Sequence, residues 1–192
     1  MIEFIEDTHT YLDNGVIVPS VSDLIKFKFP DSYCNVPERI LKKKANYGSK
    51  VHQMIEAFIK GEMTMEEIQK KRIDPDIKIA VEQFEILRKT WAFHIKEIEQ
   101  IVSWDHHYCG TFDLVTYDNY IIDLKTTTEL HTDWLAYQLG LYALAKGFTQ
   151  DFHYCMWLPK GKMGKVIQIN VPKPEELKEL VKEYEKANAS TE

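Results

Sequence analysis

The chain has 192 residues, of which 44% are hydrophobic and 28% are charged, and these values predict one globular domain with a substantial core. It contains no run of about eighteen apolar residues and begins without the basic start and apolar stretch of a signal peptide, so we expect no membrane span and a cytoplasmic location. The three cysteines, Cys34, Cys109 and Cys155, are too few for a four-thiolate iron–sulfur cluster within one chain, and because they form no C-x-x-C pair a zinc ribbon is disfavoured.

The N-terminal segment has the pattern of a β-hairpin. Apolar and polar residues alternate over residues 2–18, and Asn14-Gly15 interrupts them. Asn-Gly between two alternating runs is typical of a tight hairpin turn. Ser20 then lies in a suitable place to cap a short helix through Phe27.

Two amphipathic helices are predicted next. Residues 38–60 favour a helix, broken near Gly48, with its apolar stripe formed by Val51, Met54, Ile55 and Phe58. Asp74-Pro75 has the pattern of an N-cap followed by proline at the first helical position. The helix that begins there carries Ile77, Val81, Phe84, Leu87 and Trp91 on one face.

The second half of the chain alternates strands with helices. Strands are predicted at 98–104, 107–117, 120–124, 152–158 and 165–171, and helices at 132–146, capped by Thr132, and from Pro174 onwards. This order predicts an α/β fold in which helices flank a mixed β-sheet. We expect a single domain over 1–192, with a hairpin and helical part at 1–97 and a sheet core at 98–192.

Three side chains in the predicted meander have the chemistry of a metal site. Asp113 lies in one strand, and Asp123 lies near the end of the next, so antiparallel pairing would bring the two carboxylates together. Carboxylate oxygens suit a hard divalent cation. Lys125 follows Asp123 by two residues and therefore shares its face, where it could hold a water or neutralise charge on a phosphate.

An acid-x-Lys tripeptide alone is weak evidence. Asp76-Ile77-Lys78 and Glu176-Leu177-Lys178 have the same pattern but fall in predicted helices, where solvation or surface pairing accounts for them. Asp123-Leu124-Lys125 differs because it closes an apolar strand and a second acid precedes it. A structural salt bridge at the sheet edge remains the alternative for this pair.

Other polar side chains adjoin the apolar faces of two helices. His52 lies beside the apolar stripe of its helix. It could be a metal ligand or a half-buried histidine with a local partner. Gln138 and Tyr142 are one turn apart on a very apolar helix, where a lone glutamine needs a hydrogen-bond partner.

Four motifs follow one another along the chain: Gly48-x-x-x-His52, Gly110-x-x-Asp113, Asp123-x-Lys125 and Gln138-x-x-x-Tyr142. The set resembles that of RecB-like exonucleases of the PD-(D/E)XK nuclease superfamily, of the phage, prophage and mitochondrial genome maintenance type. It covers about half of the chain. The resemblance implies a restriction-endonuclease-like fold and departs from the branch of the family that carries an iron–sulfur cluster.

The resemblance also implies roles for individual residues. The metal ligands for Mg²⁺ or Mn²⁺ would be His52, Asp113, Asp123 and the carbonyl of Leu124. Lys125 would position or activate the attacking water. Gln138 and Tyr142 would contact the DNA backbone and steady the site. The hydroxyl of Thr126 is a candidate phosphate contact, with a plain loop as its alternative.

The implied activity is hydrolysis of DNA at its ends, in recombination, repair or phage DNA processing, with recombination proteins as candidate partners. The family includes both rings and independent subunits, so the oligomeric state stays open. A net charge of −6 runs against a nucleic-acid partner. Two features offset it: a bound metal reverses the local charge, and a cluster of cations comprises Arg39, Lys42, Lys43, Lys44 and Lys50.

Three other classes of function remain open. An inactive nucleic-acid-binding module would keep the fold and lose the chemistry, although none of the expected catalytic positions is degraded in this sequence. A small-phosphoester metallohydrolase would cleave nucleotides but not polynucleotides. A structural protein with an Asp–Lys salt bridge would bind no divalent metal specifically.

Overall fold

The computed structural model describes residues 2–5, 8, 10–30 and 38–189. The strands in these ranges are β1 (Ile2–Ile5), β2 (Thr10–Asp13), β3 (Val16–Val18), β4 (Ile95–Trp104), β5 (Tyr108–Thr116), β6 (Ile121–Lys125), β7 (Phe152–Trp157) and β8 (Lys165–Asn170). The helices there are α1 (Val21–Lys28), α2 (Glu38–Ile59), α3 (Met65–Lys70), α4 (Pro75–Thr90), α5 (Thr132–Lys146) and α6 (Pro174–Ala189). Cys34 lies outside the described residues.

The middle layer of the domain is a five-stranded sheet in the order β4-β5-β6-β7-β8. β6 and β7 run parallel, whereas the other neighbouring strands run antiparallel. A parallel pair needs a crossover connection, and α5 supplies it. Helices α1, α5 and α6 pack on one face of the sheet, and α2 and α4 pack on the other. The predicted α/β fold with a mixed sheet and flanking helices is confirmed.

Both faces of the sheet are covered by apolar side chains. On the α5 face, Leu139 belongs to the same buried cluster as Phe112 and Ile121. On the α2 face, Val51 and Ile55 belong to a cluster with Leu124. A strand buried on both faces has a nearly continuous apolar sequence, as in β6. The aspartate of β6 therefore lies in the interior, where it needs a specific partner.

The N-terminal strands form a separate antiparallel sheet in the order β1-β2-β3. Asn14 and Gly15 form the turn between β2 and β3, with φ values of 50° and 82°. These positive values are those that an Asn-Gly hairpin turn requires, and the predicted hairpin is confirmed. The segment contacts the large sheet, because the Cys109 N–H donates to the carbonyl of Pro19 at 2.9 Å.

Helix boundaries agree with the sequence at some positions and differ at others. Ser20 caps α1 in a capping box with Asp23, as its position predicts. The predicted break near Gly48 is wrong: α2 continues through it, because a glycine inside a helix costs only about 1 kcal/mol. The predicted cap of α5 is also wrong, since His131 is the N-cap and Thr132 the first helical residue.

The boundary between the two predicted parts also differs slightly. β4 begins at Ile95, before residue 98, and pairs with β5. None of the helices in the described ranges has the length and apolar character needed to cross a membrane.

His153 of β7 makes the stability of the fold depend on pH. Its side chain is fully buried, and Nδ1 accepts a hydrogen bond from the Ile121 N–H at 3.1 Å. Burial lowers the pKa of the ring to about 4. The unfolded chain protonates the same ring near pH 6.5, so acid favours unfolding. Between about pH 6.5 and pH 4, we expect the free energy of unfolding to fall by roughly 3 kcal/mol from this residue as pH decreases.

Urea unfolding across this pH range tests the expectation, with His153→Gln as the comparison. The glutamine carbonyl can still accept from Ile121 but does not titrate. The variant should therefore lose this part of the pH dependence. An identical pH slope in both proteins would show that His153 is not its source.

Candidate metal centre

The candidate site lies where β5 and β6 part. The ladder between them pairs Leu114 with Ile122 and Val115 with Ile121, and the next positions in this register are Asp113 and Asp123. The Leu124 N–H donates to Asp113 Oδ2 at 2.6 Å. A carboxylate thus accepts a backbone N–H of the neighbouring strand, and this fixes Asp113 beside β6.

Helix α2 brings His52 to the same point. Its Nε2 lies 3.0 Å from the carbonyl oxygen of Leu124, and its Nδ1 lies 3.4 Å from Asp113 Oδ1. Since the carbonyl can only accept, Nε2 carries a hydrogen. The Leu124 carbonyl, predicted as a metal ligand, accepts from His52 in this structure and retains a second lone pair.

Lys125 and α5 close the other side of the site. Lys125 Nζ donates to Asp123 Oδ1 at 2.8 Å and to Gln138 Oε1 at 3.3 Å. Gln138 Nε2 in turn donates to the hydroxyl of Tyr142 at 3.3 Å. Tyr142 is only 5% exposed, so in this structure it holds Gln138 in place.

Asp123 keeps one oxygen without a hydrogen-bond partner. Its side chain is buried, and Oδ2 also lies 2.8 Å from Lys125 Nζ. This contact is an ion pair, and Oδ2 has no hydrogen-bond partner among the described residues. The ammonium of Lys125 compensates the charge of this buried carboxylate, and a cation bound at Oδ2 would share the oxygen with the lysine.

Glu99 of β4 joins the site, although the sequence analysis did not identify it. It lies between Ile98 and Gln100, which pair with Leu114 and Phe112, so Glu99 is across from Asp113. Its Oε1 is 3.9 Å from His52 Nδ1, and its φ of 48° is left-handed. Pairing the predicted strands residue by residue, outward from the turn between Trp104 and Tyr108, places Glu99 opposite Asp113.

Together, His52, Glu99 and Asp113 could hold a metal ion. One ligand atom from each lies within 4.8 Å of the others, and all three side chains are partly exposed. Oxygen atoms with one imidazole nitrogen form a donor set suited to Mg²⁺ or Mn²⁺. Of the predicted ligands, His52 and Asp113 belong to this group and Glu99 is added to them, whereas Asp123 lies outside it and pairs with Lys125.

Charge stabilises the protonated form of His52. Burial acts to lower the pKa of its ring, but the negative charge of Asp113 and the contacts with Asp113 and Glu99 outweigh it and raise the pKa to about 10. Both ring nitrogens then carry hydrogens at neutral pH. This agrees with the Leu124 carbonyl beside Nε2 and the Asp113 carboxylate beside Nδ1. A metal ion that took Nδ1 as a ligand would displace this proton.

The site shifts the pKa values of Asp113 and Asp123 in opposite directions. Burial acts to raise the pKa of Asp113, but His52 and Lys125 outweigh it and lower the pKa. For Asp123, burial dominates and raises the pKa, with a further contribution from the charge of Asp113. Burial acts to lower the pKa of Lys125, but Asp123 and Asp113 raise it, so the amine stays protonated.

Thr126 follows Lys125 and lies against α2. A Cβ added to Gly48 would come 3.1 Å from Thr126 Oγ1, so the glycine allows the helix to approach the strand end closely. In the following loop, the hydroxyl of Thr127 donates to the carbonyl of Glu129. The phosphate contact proposed for Thr126 stays a prediction.

Both tripeptides set aside in the sequence analysis lie in helices, Asp76–Lys78 in α4 and Glu176–Lys178 in α6. Asp76 pairs with Lys160 at 2.8 Å, on the surface. Glu176 accepts a hydrogen bond from the hydroxyl of Tyr137. Their local partners distinguish them from Asp123-Leu124-Lys125.

No protein-family model matches the chain, and no curated protein matches it. Among solved structures, the crystal structure of SSO0001 is similar to it with a TM-score of 0.39 and 15% sequence identity. The similarity covers 85% of this chain and 82% of that chain. A likeness this weak defines neither a family nor a function, so the site is interpreted from its own geometry.

Gly110 should be intolerant of a side chain. A Cβ there would lie 2.7 Å from Tyr142 Cε1 and 2.9 Å from Val21 Cγ2. We expect Gly110→Ala to destabilise the protein by about 1–3 kcal/mol through overpacking. Gly48→Ala is the matched control, because its contact is looser and the helix gains about 1 kcal/mol of propensity. Urea unfolding of both variants measures the difference, and equal stability of the two would contradict the packing at Gly110.

Glu99 should contribute to metal affinity. Glu99→Gln keeps the size of the side chain but removes its charge from the group with His52 and Asp113. We expect Mn²⁺ binding, measured by titration calorimetry, to weaken by at least about tenfold. Glu56→Gln is the control, since Glu56 lies on the helix of His52 but pairs with Lys60 at 2.6 Å. Unchanged Mn²⁺ affinity in Glu99→Gln would remove it from the site.

Proposed function

We propose that the chain is a divalent-metal-dependent nuclease of the PD-(D/E)XK class, with a restriction-endonuclease-like core, that hydrolyses phosphodiester bonds at DNA ends. The observation that carries the proposal is the group formed by His52, Glu99 and Asp113, with ligand atoms within 4.8 Å. Beside it lies the buried ion pair of Asp123 and Lys125. Acidic ligands next to a fixed lysine suit hydrolysis of a phosphate ester.

The metal requirement follows from the donor set. Bound by His52, Asp113, Asp123 and Glu99, Mg²⁺ or Mn²⁺ would polarise the scissile phosphate and lower the pKa of a water molecule. His52 is oriented for such a role because its Nε2–H is held by the Leu124 carbonyl. An outer hydrogen bond of this kind fixes the ring and directs Nδ1 towards the carboxylates.

Lys125 supplies a positive charge that does not depend on the metal. Asp123 and Asp113 keep its amine protonated, and Gln138 accepts one of its hydrogens. An ammonium group held in this way can orient the attacking water and stabilise the negative charge that develops on the phosphate. Gln138 and Tyr142 act as positioning residues in this scheme. Gln138 would also contact the DNA backbone.

The basic half of α2 supports a polymeric substrate. Lys44 Nζ donates to Thr128 Oγ1 at 3.1 Å, which brings this part of the helix beside the loop that follows β6. The cations in this segment are Arg39, Lys42, Lys43, Lys44 and Lys50. Lys44 is the cation that reaches this loop, and Lys42 pairs with Glu38 at 2.7 Å further along the helix. Several cations along one helix favour a polyanion over a small phosphoester. We propose DNA processing in recombination or repair, in the cytoplasm, as its setting.

Cleavage of end-labelled linear single-stranded and double-stranded DNA tests the proposal. The wild type should degrade DNA with Mg²⁺ or Mn²⁺ and not with EDTA. Asp123→Asn and Lys125→Ala should each lower the rate by at least about a hundredfold. The order in which labelled products appear would give the polarity of cleavage.

Lys178→Ala is the matched control, since Lys178 ends an acid-x-Lys tripeptide on the exposed side of α6. Its activity should equal that of the wild type. An Asp123→Asn protein that cleaves DNA at the wild-type rate would refute the assignment. Hydrolysis of mononucleotide esters without cleavage of DNA would instead identify a small-phosphoester hydrolase.

A further inference from the structure

Strand β8 forms one edge of the large sheet, with β7 on its inner side. The Val171 N–H donates to the carbonyl of Asp151 at 3.0 Å, one step beyond the pair of Phe152 and Asn170. Hydrogen-bonded pairs alternate along an antiparallel ladder, so every second residue of β8 directs its N–H and C=O away from β7. The residues with outward backbone groups are Val166, Gln168 and Asn170.

The free edge of β8 has a limit at each end. Just before the strand, the Gly164 N–H donates to Gln83 Oε1 at 2.8 Å. Beyond its other end, Pro172 has no N–H to donate. Gln168 lies midway between these two limits. Within the described residues no other strand pairs with β8 on its outer side, so the backbone groups of this edge form a short template for another strand.

The opposite edge of the sheet is protected against such pairing. β4 carries the charged side chains of Lys96, Glu97 and Glu99. Its register shifts at Glu97, and Glu99 has a left-handed φ. Charges and irregular backbone of this kind keep a second chain from adding to an edge strand. In β8 the one charged residue is Lys165, at the first position, so β8 is the edge that is suited to pairing.

We propose that β8 pairs antiparallel with β8 of a second copy of the chain, about a two-fold axis at Gln168, so that one sheet continues through both copies. In this register Gln168 faces Gln168 of the second copy, and Val166 faces Asn170 of the second copy. Each facing pair exchanges two N–H···O=C bonds, about six bonds in all. A two-fold axis elsewhere along β8 would use fewer of the outward groups, because Gln168 is the midpoint of the free edge.

A second copy suits this edge better than an unrelated strand does. The amide of Gln168 contacts Asn170 of its own strand at 3.4 Å and keeps a donor and an acceptor, so two such amides are complementary across the axis. Beside the edge, α4 exposes Ile79 and Ile86, by 47% and 57%, on the side of Gln83. An axis perpendicular to the sheet puts both copies of α4 on the same face, next to the join, where burial of these isoleucines is favourable.

The pairing is independent of the proposed function. β7 lies between β8 and the strand that carries Asp123 and Lys125. The copies therefore join at an edge that holds none of the candidate metal ligands. Variants at Gln168 should change the mass in solution without changing the affinity for Mn²⁺.

Sedimentation velocity of the full chain tests the pairing, at about 1–100 μM. The wild type should approach twice the mass of one chain as its concentration rises. Gln168→Glu and Gln168→Lys each place like charges across the axis and should weaken association by at least about tenfold. A mixture of the two variants places unlike charges there and should restore the dimer. The same two changes at Gln100, an exposed glutamine of β4, are the matched controls and should leave the mass unchanged.

Cross-linking adds a measurement that does not depend on charge. In a hydrogen-bonded antiparallel pair the facing Cα atoms are about 5.5 Å apart, which is within the range of a disulfide. On mild oxidation, Gln168→Cys should therefore join two copies to a greater extent than Gln100→Cys or the wild type.

Several outcomes would overturn the proposal. A wild type that stays a monomer at about 100 μM does so, even if β8 binds an added peptide. A dimer that neither charge variant weakens joins through another surface. A mixture of the two variants that stays monomeric rules out the axis at Gln168. If a charge variant loses its helical circular dichroism, the disulfide decides, and no excess cross-link in Gln168→Cys refutes the pairing.

Discussion

Pairing of charges that are wholly or partly buried is the constraint on which the candidate site depends. His52 and Lys125 face Asp113 and Asp123 where the sheet is covered on both faces. Asp123 is the buried member of this set, and removing Lys125 would leave its charge uncompensated, at a cost of about 3–5 kcal/mol for a fully buried pair. Glu99 adds a third carboxylate, so the group carries one net negative charge, and two once His52 loses its proton. A divalent cation balances that charge.

The rest of the fold holds these groups in place. Gly110 leaves room on β5 for the ring of Tyr142, and Tyr142 fixes Gln138, which in turn contacts Lys125. On the opposite side, Gly48 lets α2 approach the end of β6. Two glycines thus allow the close approach of helices and strands on either side of the site.

The sequence could predict the elements better than their contacts. The Asn14-Gly15 turn, the cap at Ser20 and the apolar strand β6 all depend on local preferences, and these predictions are confirmed. The uninterrupted course of α2 was not predictable, because tertiary packing outweighs the cost of one glycine. Glu99 was missed because its position depends on strand register and on an unusual backbone angle.

The contact between His52 and Leu124 has a consequence for folding. These residues are 72 positions apart, and Lys44 reaches Thr128 across 84. Contacts between distant positions form late, because the entropy of closing the intervening loop must be lost first. During synthesis, α2 leaves the ribosome long before β6 has been made. Its basic half therefore has no β6 to contact at that stage. The site can assemble only after the central strands have been made. An N-terminal fragment that ends before β6 does not contain it.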